Sequence, residues 1–210
     1  MTSRRVLLVD DDDFTRMTLR AVLASLDYDV IGDSATVVGA MDIARAQRPE
    51  LAVIDLDLGE GPTGIDLAHG LRALVPGIGL VMLSSYADPR LIGRRTRPLP
   101  DGTQYLSKQG VGDASRLDAA LAKALDHEDT ATPAEGTALT DSQIEIMRLI
   151  AAGYSNAEIA KRMWITEDGV NRAVTRLVKQ LGLQVSKEHN TRVLISRAYA
   201  ELAGRTVPGE

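Results

Sequence analysis

The sequence predicts two domains: an α/β domain with a doubly wound, parallel, five-stranded sheet, and a smaller all-α domain after it. Short apolar runs alternate with amphipathic segments in the first part of the chain, whereas the last part has only helical periodicity. Several apolar runs contain almost no polar residue, which is typical of strands buried on both faces of a parallel sheet. The predicted boundaries are 1–126 for the α/β domain, 127–138 for a polar, Pro- and Gly-containing linker, 139–204 for the all-α domain and 205–210 for a tail.

The strands and helices of the first domain follow from its apolar spacing. The predicted strands are 6–9, 28–31, 51–54, 80–83 and 104–106. Apolar residues at helical spacing lie between them: Leu19, Val22, Leu23 and Leu26, then Leu67, Leu71 and Leu74, then Leu117, Leu121, Ala124 and Leu125. After the fourth strand, Asp88 and Pro89 predict only one or two helical turns, because Gly93 and the Arg- and Pro-rich stretch 94–100 stop the helix.

Composition narrows the class of protein. The chain has no cysteine, which excludes disulfides, thiolate metal sites and a cysteine nucleophile. It has no apolar run near the roughly 20 residues that a membrane span needs, so we expect a soluble, cytoplasmic protein. The net charge is −5, but the acidic excess lies in residues 1–136, while residues 137–210 are slightly basic. A basic module joined to an acidic one suggests two tasks, one of which could involve DNA.

Acidic residues follow two of the predicted strands. Asp10 and Asp11 come directly after the first strand, and Asp55 comes directly after the third. Because the carboxyl ends of parallel strands share one edge, these carboxylates should converge there, and their repulsion calls for a cation. Few oxygen ligands from the protein suit Mg²⁺, which keeps several waters and accepts a phosphate. A solvated acidic loop is the alternative interpretation of the Asp run alone.

A hydroxyl and an ammonium are expected at the same edge. Ser84 ends the fourth strand and Lys108 follows the fifth. Positioned donors and a cation around one carboxylate are what phosphoryl transfer requires, because charge on the phosphoryl oxygens must be neutralised. Five such positions on one predicted edge favour a phosphoryl site over a solvated acidic loop.

These motifs resemble the receiver domain of bacterial response regulators, a flavodoxin-like fold. The resemblance covers residues 4–126 and is carried, in order, by Val9-Asp10-Asp11, Ile54-Asp55-Leu56-Asp57, Leu83-Ser84-Ser85 and Tyr105-Leu106-Ser107-Lys108. It implies that Asp55 is the phosphoryl acceptor and that a sensor histidine kinase is the donor. It also implies a Mg²⁺ site made by the Asp11 and Asp55 carboxylates and the Asp57 backbone carbonyl, with Asp10 in support.

The resemblance implies further roles at the phosphoryl group. Lys108 would pair with the phosphate, Ser84 would donate a hydrogen bond to it, and the rotamer of Tyr105 would follow Ser84. The sequence departs from the family at Gly59, where proline is common, and in its shortened fourth helix. These departures leave the phosphorylation chemistry in place and put the usual output face in question.

Two other motifs in this region point to different chemistry. Residues 59–64 match the G-x-G-x-x-G fingerprint of dinucleotide binding, but Asp55 and Asp57 just upstream would repel a pyrophosphate. The Asp55-x-Asp57 pair is also found in haloacid-dehalogenase-type phosphatases, which carry it on their first strand and follow it with a hydroxyl residue, unlike this chain. Despite these differences, a Mg²⁺-dependent phosphohydrolase that uses the same carboxylates stays open as the enzymatic alternative.

The all-α domain contains a candidate helix-turn-helix. Residues 155–163 predict a short helix that a turn separates from a second helix, whose inner face carries Val170, Val174 and Leu177. The opposite face carries Asn171, Arg172, Thr175, Arg176 and Lys179, which are residue types that contact base edges and phosphates. A helical bundle with a charged surface is the alternative.

This part resembles the LuxR-type helix-turn-helix of NarL/FixJ regulators, over residues 138–204. The matching residues are Leu139-Thr140, the run from Ile150 to Ala160, Val170, and Leu181-Gly182-Leu183. The resemblance implies that residues 170–179 form the recognition helix and that double-stranded DNA is a partner. Asp168-Gly169 replaces the family's common Lys-Thr, which indicates altered specificity or weaker non-specific affinity. Trp164 is expected to pack beneath the turn.

The sequence thus predicts a DNA-binding response regulator, not an enzyme. Phosphorylation of Asp55 would control dimerisation and transcription-factor activity, with a homodimer as the active state. The last helix, with Ile195, Tyr199 and Leu202, either supplies a dimer face or is buried within its own domain. A regulator that binds DNA independently of phosphorylation is the remaining alternative.

Overall fold

The computed structural model describes most of the chain: residues 3–92, 97–108, 113–127, 139–184 and 189–204. Residues 128–138 of the predicted linker, the predicted tail 205–210 and residues 94–96 of the Arg- and Pro-rich stretch lie outside the described residues. Among the helices of the described residues, none is long and apolar enough to cross a membrane.

The chain divides into two compact units. The first, the α/β unit, is Met1–Ser84 with Thr96–Ala134, and the second, the helical unit, is Ser85–Arg95 with Glu135–Glu210. The segment that follows the fourth strand in sequence therefore belongs to the helical unit. The predicted domain boundaries did not anticipate this assignment.

The α/β unit is a five-stranded parallel sheet with the order β2-β1-β3-β4-β5. Its strands are β1 (Arg4–Val9), β2 (Tyr28–Ser34), β3 (Leu51–Asp55), β4 (Gly79–Ser84) and β5 (Gln104–Ser107). Its helices are α1 (Asp13–Ser25), α2 (Val37–Gln47), α3 (Gly64–Leu74) and α4 (Ala114–Leu125). The strand order reverses direction at β1, as in doubly wound sheets, so the predicted fold class is confirmed.

Strand register aligns the carboxyl ends of the inner strands. Val9 of β1 pairs with Ile54 of β3, and Asp55 pairs with Leu83 of β4. Ser84 at the end of β4 pairs with Ser107 at the end of β5. β3 and β4 are buried along their whole length, and one face of the sheet packs against buried leucines of α1 and α4. This core holds the strand ends in a fixed relation to one another.

Helix α3 begins in direct contact with the end of β3. The N–H of Gly64 donates to the carbonyl of Leu56 (3.0 Å). A Cβ atom at residue 64 would lie only 1.9 Å from the Asp55 carbonyl oxygen, so the close approach requires glycine. Gly64 therefore fixes the backbone that carries Asp55.

The described residues of the helical unit form four α-helices: α5 (Asp141–Ala151), α6 (Asn156–Met163), α7 (Glu167–Gln180) and α8 (Thr191–Leu202). A capping box begins α5, because Thr140 and Gln143 exchange side-chain and backbone hydrogen bonds. At α6 the Ser155 hydroxyl caps the N–H of Glu158, but the Glu158 carboxylate pairs with Arg162 (3.3 Å).

Residues 85–92 are built into the helical unit. The predicted short turn is present as a 3₁₀ helix, Pro89–Ile92, and Leu91 is 1% exposed in the core of the unit. The N–H of Ala87 donates to the Leu202 carbonyl (2.8 Å), and Arg90 pairs with Asp141 (2.6 Å). The segment that directly follows Ser84 in sequence is thus part of the helical core.

The apolar side of α8 is used inside the same unit. Ile195 is fully buried, and Tyr199 and Leu202 pack against the same core. The Tyr199 hydroxyl donates to the carbonyl of Leu91 (3.3 Å). Ile195 is therefore a core residue of its own unit, whereas Tyr199 and Leu202 are only partly buried, and a dimer face on this helix stays a prediction.

We expect Gly64→Ala to destabilise the protein by about 1–3 kcal/mol, because its Cβ would force the α3 backbone away from Asp55. Urea unfolding followed by far-UV circular dichroism measures the change. Gly77→Ala is the matched control, since a Cβ at residue 77 meets nothing within 4 Å. Equal stability of the two variants would contradict the packing argument.

Candidate functional site

Three carboxylates meet at the carboxyl edge of the sheet. Asp10 and Asp11 follow β1 and Asp55 ends β3, and one carboxylate oxygen from each lies within 4.8 Å of the others. Asp10 and Asp55 are only 1% and 7% exposed, whereas Asp11 faces solvent. The edge predicted from the strand ends is therefore a compact cluster of three acids.

Lys108, directly after β5, bridges the two buried acids. Its Nζ atom lies 2.6 Å from Oδ2 of Asp10 and 2.8 Å from Oδ2 of Asp55. The ammonium is largely buried, so these ion pairs are weakly screened by solvent. Lys108 thus compensates part of the negative charge that the fold concentrates at this edge.

The start of α1 holds the first acidic pair in place. The N–H of Asp12 donates to Oδ1 of Asp10 (3.0 Å), and the Arg16 guanidinium donates to the Asp10 carbonyl (2.6 Å). Asp12 is itself the N-cap of α1, because its carboxylate accepts from the N–H of Thr15 (2.7 Å). The turn from β1 into α1 therefore orients Asp10.

Burial and ion pairing act in opposite directions on the pKa of Asp55 and on the pKa of Lys108. Burial raises the pKa of Asp55 to about 6, although the Lys108 ammonium opposes this rise. Burial acts to lower the pKa of Lys108, but its contacts with Asp10 and Asp55 prevail and raise it. Lys108 therefore stays charged, and Asp55 is a carboxylate held at a free-energy cost in the folded state.

The cluster fits a magnesium ion. Oδ2 of Asp10 is buried and accepts no well-directed hydrogen bond within the described residues, although it lies against the Lys108 ammonium. An incompletely satisfied buried carboxylate oxygen beside two further carboxylates offers the hard oxygen ligands that Mg²⁺ prefers. The Asp57 carboxylate is engaged elsewhere, since it accepts from the N–H of Gly59 (3.3 Å). The role predicted for its backbone carbonyl stays a prediction.

The two remaining predicted residues lie on the neighbouring strands. Ser84 is fully buried at the end of β4, level with Ser107 and one step beyond the residue that pairs with Asp55. Tyr105 lies on β5 opposite Met82, deeper in the sheet, and is also buried. Ser84 is thus at the carboxylate edge, and Tyr105 lies two residues inside it.

The glycine-rich loop before α3 does not offer a pyrophosphate site. Gly59 and Gly61 adopt positive φ angles of 80° and 111°, which explains the glycines without a ligand. The Asp66 carboxylate already accepts from the N–H and hydroxyl of Thr63 at the start of α3 (2.9 Å each). Its negative charge occupies the helix N-terminus that a dinucleotide phosphate would need.

In the helical unit, α7 presents one polar face to solvent. Val170 and Leu177 are fully buried on its inner side. All five predicted DNA contacts are exposed on the other side: Asn171, Arg172, Thr175, Arg176 and Lys179. The amphipathic pattern thus selected a solvent-facing set of side chains correctly.

Sequence reasoning missed how several of these side chains are held. Arg172 is paired with Asp168 one helical turn earlier. Asn171 accepts from the Asn156 amide (2.7 Å), which in turn accepts from the Arg192 guanidinium (2.6 Å). Spacing along α7 could have indicated the Asp168 pair, but no local signal points to Arg192, which is far away in sequence.

Trp164 does not pack beneath the turn, so that expectation is wrong. Its side chain is 93% exposed, and its φ of 58° places the residue in the left-handed region. The N–H of Ile165 donates to the Ala160 carbonyl (3.0 Å), and that of Trp164 to Lys161 (3.4 Å), so the two close a Schellman motif at the end of α6. This geometry directs the indole away from the core, which Ile159 fills instead.

Comparison with known proteins agrees with both units. Residues 6–122 match the response regulator receiver domain family, and residues 137–192 match the luxR family of bacterial regulatory proteins. The chain is 32% identical to the DNA-binding transcriptional activator DevR/DosR of Mycobacterium tuberculosis, over 86% of this chain and 89% of that protein. It is 30% identical to the response regulator VraR of Staphylococcus epidermidis, over 86% of this chain and 91% of that protein.

Solved structures show the same fold. A structure of two RcsB dimers bound to two parallel DNAs has a TM-score of 0.54 at 18% identity, covering 96% of this chain and 99% of that one. RcsB from Salmonella enterica serovar Typhimurium bound to the promoter P1flhDC has a TM-score of 0.53 at 20% identity, covering 94% and 98%. The chain belongs to the DNA-binding response regulators of two-component systems, in which a receiver domain is joined to a LuxR-type helix-turn-helix domain.

Proposed function

We propose that this chain is a phosphorylation-controlled, DNA-binding regulator whose phosphoryl acceptor is Asp55. The observation that carries the proposal is the bridge from Lys108 to Asp10 and Asp55, which gathers one carboxylate nucleophile, one cation and a further acid at a single sheet edge. The donor is the phosphohistidine of a sensor kinase. We place this exchange in the cytoplasm.

The transfer follows from the site's own groups. A carboxylate oxygen of Asp55 attacks phosphorus, a P–O bond forms, the P–N bond to the donor imidazole breaks, and the imidazole leaves with the electron pair. Asp55 must be ionised to attack, and with a pKa of about 6 it is mostly a carboxylate at neutral pH. Lys108 pairs with the new phosphoryl oxygens, and Ser84 donates its hydroxyl to them.

Magnesium completes the charge balance. Asp10, Asp11 and Asp55 would hold the ion together with the backbone carbonyl of Asp57. When bound, Mg²⁺ supplies charge neutralisation to the incoming phosphoryl oxygens. The three carboxylates and the one ammonium together carry a net negative charge, and this imbalance supports the need for the ion.

The output is DNA binding through α7. Asn171 and Arg172 lie in the part of α7 that follows its first turn, where helix-turn-helix proteins reach base edges, and Thr175, Arg176 and Lys179 extend the face. Phosphorylation adds about two negative charges to the edge and favours a homodimer that places two such helices on half-sites one DNA turn apart. RcsB, which shares the fold, has been described as dimers on DNA.

The central test compares the wild type with Asp55→Asn during incubation with acetyl phosphate and Mg²⁺. We expect one stable phosphoryl group per wild-type chain, a doubled mass in solution and about 5- to 150-fold tighter binding to duplex DNA. Asp55→Asn should show none of these changes. Intact-mass spectrometry, light scattering and fluorescence anisotropy measure the three effects.

Asp29→Asn, which removes an exposed carboxylate from β2, is the control for loss of one negative charge. Continuous turnover of a small phosphomonoester by the wild type would instead favour the phosphohydrolase. Equal DNA affinity of wild type and Asp55→Asn after incubation with phosphodonor would favour regulation independent of phosphorylation.

Asp55→Asn should also stabilise the fold in a pH-dependent way. The folded pKa of about 6 lies above the ordinary value of 3.8, so the folded state binds the proton more tightly and the wild type loses stability as pH rises between these values. The variant lacks this loss. Its advantage should be absent near pH 4 and reach up to about 3 kcal/mol above pH 6.

Urea unfolding at a series of pH values, with EDTA present to remove divalent ions, measures this difference. Asp29→Asn again controls for net charge. A stability difference between Asp55→Asn and the wild type that does not change with pH would contradict the role of burial at Asp55.

Asp168→Asn should tighten binding to random-sequence duplex DNA. The substitution removes a negative charge from the first turn of α7 and frees the Arg172 guanidinium for phosphate contact. We expect affinity to rise about two- to fivefold and the slope of log K against log salt to steepen by about one. Glu167→Gln, in the same turn, is the matched control, and an identical effect of both variants would argue against the specific pair.

A further inference from the structure

Trp164 combines three features that the proposed function does not use. It is the only tryptophan of the chain, its side chain is 93% exposed, and its backbone is left-handed at φ 58°. Large aromatic side chains gain most from burial, and left-handed backbone is unfavourable for any residue with a Cβ. Both features act against the stability of the fold.

A structural role does not account for the residue. The Schellman motif needs only backbone hydrogen bonds and is served best by glycine at this position. Within the described part of the chain, the indole N–H of Trp164 has no hydrogen-bond acceptor. The ring therefore exposes an apolar face and a free donor on a rigid turn.

The position of the turn indicates what covers the ring. Trp164 lies two residues before Thr166, the N-cap of α7, in the turn between the two helices of the motif. When the N-terminal part of a recognition helix enters the major groove, the turn before it lies beside the sugar-phosphate backbone that borders the groove. Lys161, one turn back on α6, is 78% exposed and pairs with the Glu158 carboxylate only at 4.0 Å, so its ammonium remains open to solvent.

We propose that Trp164 is a DNA-backbone contact: its ring packs on a deoxyribose and its N–H donates to a phosphate oxygen. The proposal rests on α7 being the recognition helix. Backbone N–H groups and uncharged side chains commonly make such contacts, which position the protein without reading sequence. The contact is therefore independent of DNA sequence and should form on any duplex.

The single tryptophan makes the contact directly observable. Full-length protein with acetyl phosphate and Mg²⁺ is titrated with a labelled, random-sequence 30-base-pair duplex. Anisotropy of the label reports binding, and tryptophan emission reports the surroundings of residue 164. We expect the emission to shift to shorter wavelength, to become protected from acrylamide, and to saturate together with the anisotropy.

Variants separate the contact from folding and from charge. Trp164→Ala should weaken duplex binding about three- to tenfold without changing the salt slope, because the side chain carries no charge. Trp164→Gly should raise the midpoint of thermal unfolding while weakening binding equally, since it relieves the left-handed backbone. Lys179→Ala should instead lower the salt slope by about one and keep the emission shift at saturation.

Val193→Ala is the matched control, because it shortens a different exposed apolar side chain, which lies on α8 and not in the turn. This variant should leave duplex binding unchanged. The proposal is overturned if the emission is unaltered at saturating duplex, or if Trp164→Ala binds as tightly as the wild type. An emission shift that follows protein concentration without duplex would overturn it in favour of a second copy. Absence of any duplex binding would overturn both this contact and the proposed role of α7.

Discussion

The structure depends on one electrostatic constraint: two carboxylates are buried next to each other at the carboxyl edge of a parallel sheet. Asp10 and Asp55 are held there by the ends of β1 and β3, and burial raises the pKa of Asp55. Among the residues that the structure describes, Lys108 is the one ammonium that contacts both. Its single positive charge leaves the edge negative, so the site favours binding a cation and is sensitive to any further charge.

This imbalance explains why the edge suits a switch. In the proposed function, a phosphoryl group on Asp55 would add charge at an edge whose backbone is tightly packed, because Gly64 lies directly against the Asp55 carbonyl. Ser84 is fully buried at the end of the neighbouring strand, one residue beyond the partner of Asp55. The residues after Ser84 belong to the helical unit through Leu91 and Arg90, so the chain passes from the carboxylate edge of the sheet into the helical unit directly after β4.

Much of this arrangement follows from local pattern. The positions of Asp55 and Lys108 at strand ends could be predicted because apolar runs mark parallel strands and their carboxyl ends must share an edge. The exposed face of α7 could be predicted because helical periodicity separates Val170 and Leu177 from the polar residues between them. Both predictions use only the repeat of the secondary structure.

Other features could not be predicted in this way. Trp164 is a large aromatic residue between the apolar residues Met163 and Ile165, so pattern alone assigns it to the core, but a left-handed helix end turns its side chain to solvent. The Asn156 amide donates to Asn171, and Asn156 is itself held by a hydrogen bond from Arg192 on α8. Such contacts depend on where separate elements meet.

The sequence by itself determined the fold class, the strand ends that carry the acidic residues and the exposed polar face of α7, because each is a property of local periodicity. Only the tertiary structure decided that Lys108 bridges both buried acids, that residues 85–92 join the helical core and that Trp164 stands outside it. The physical reason is that burial and ion pairing depend on distances between segments remote in the chain, and these distances are set by packing.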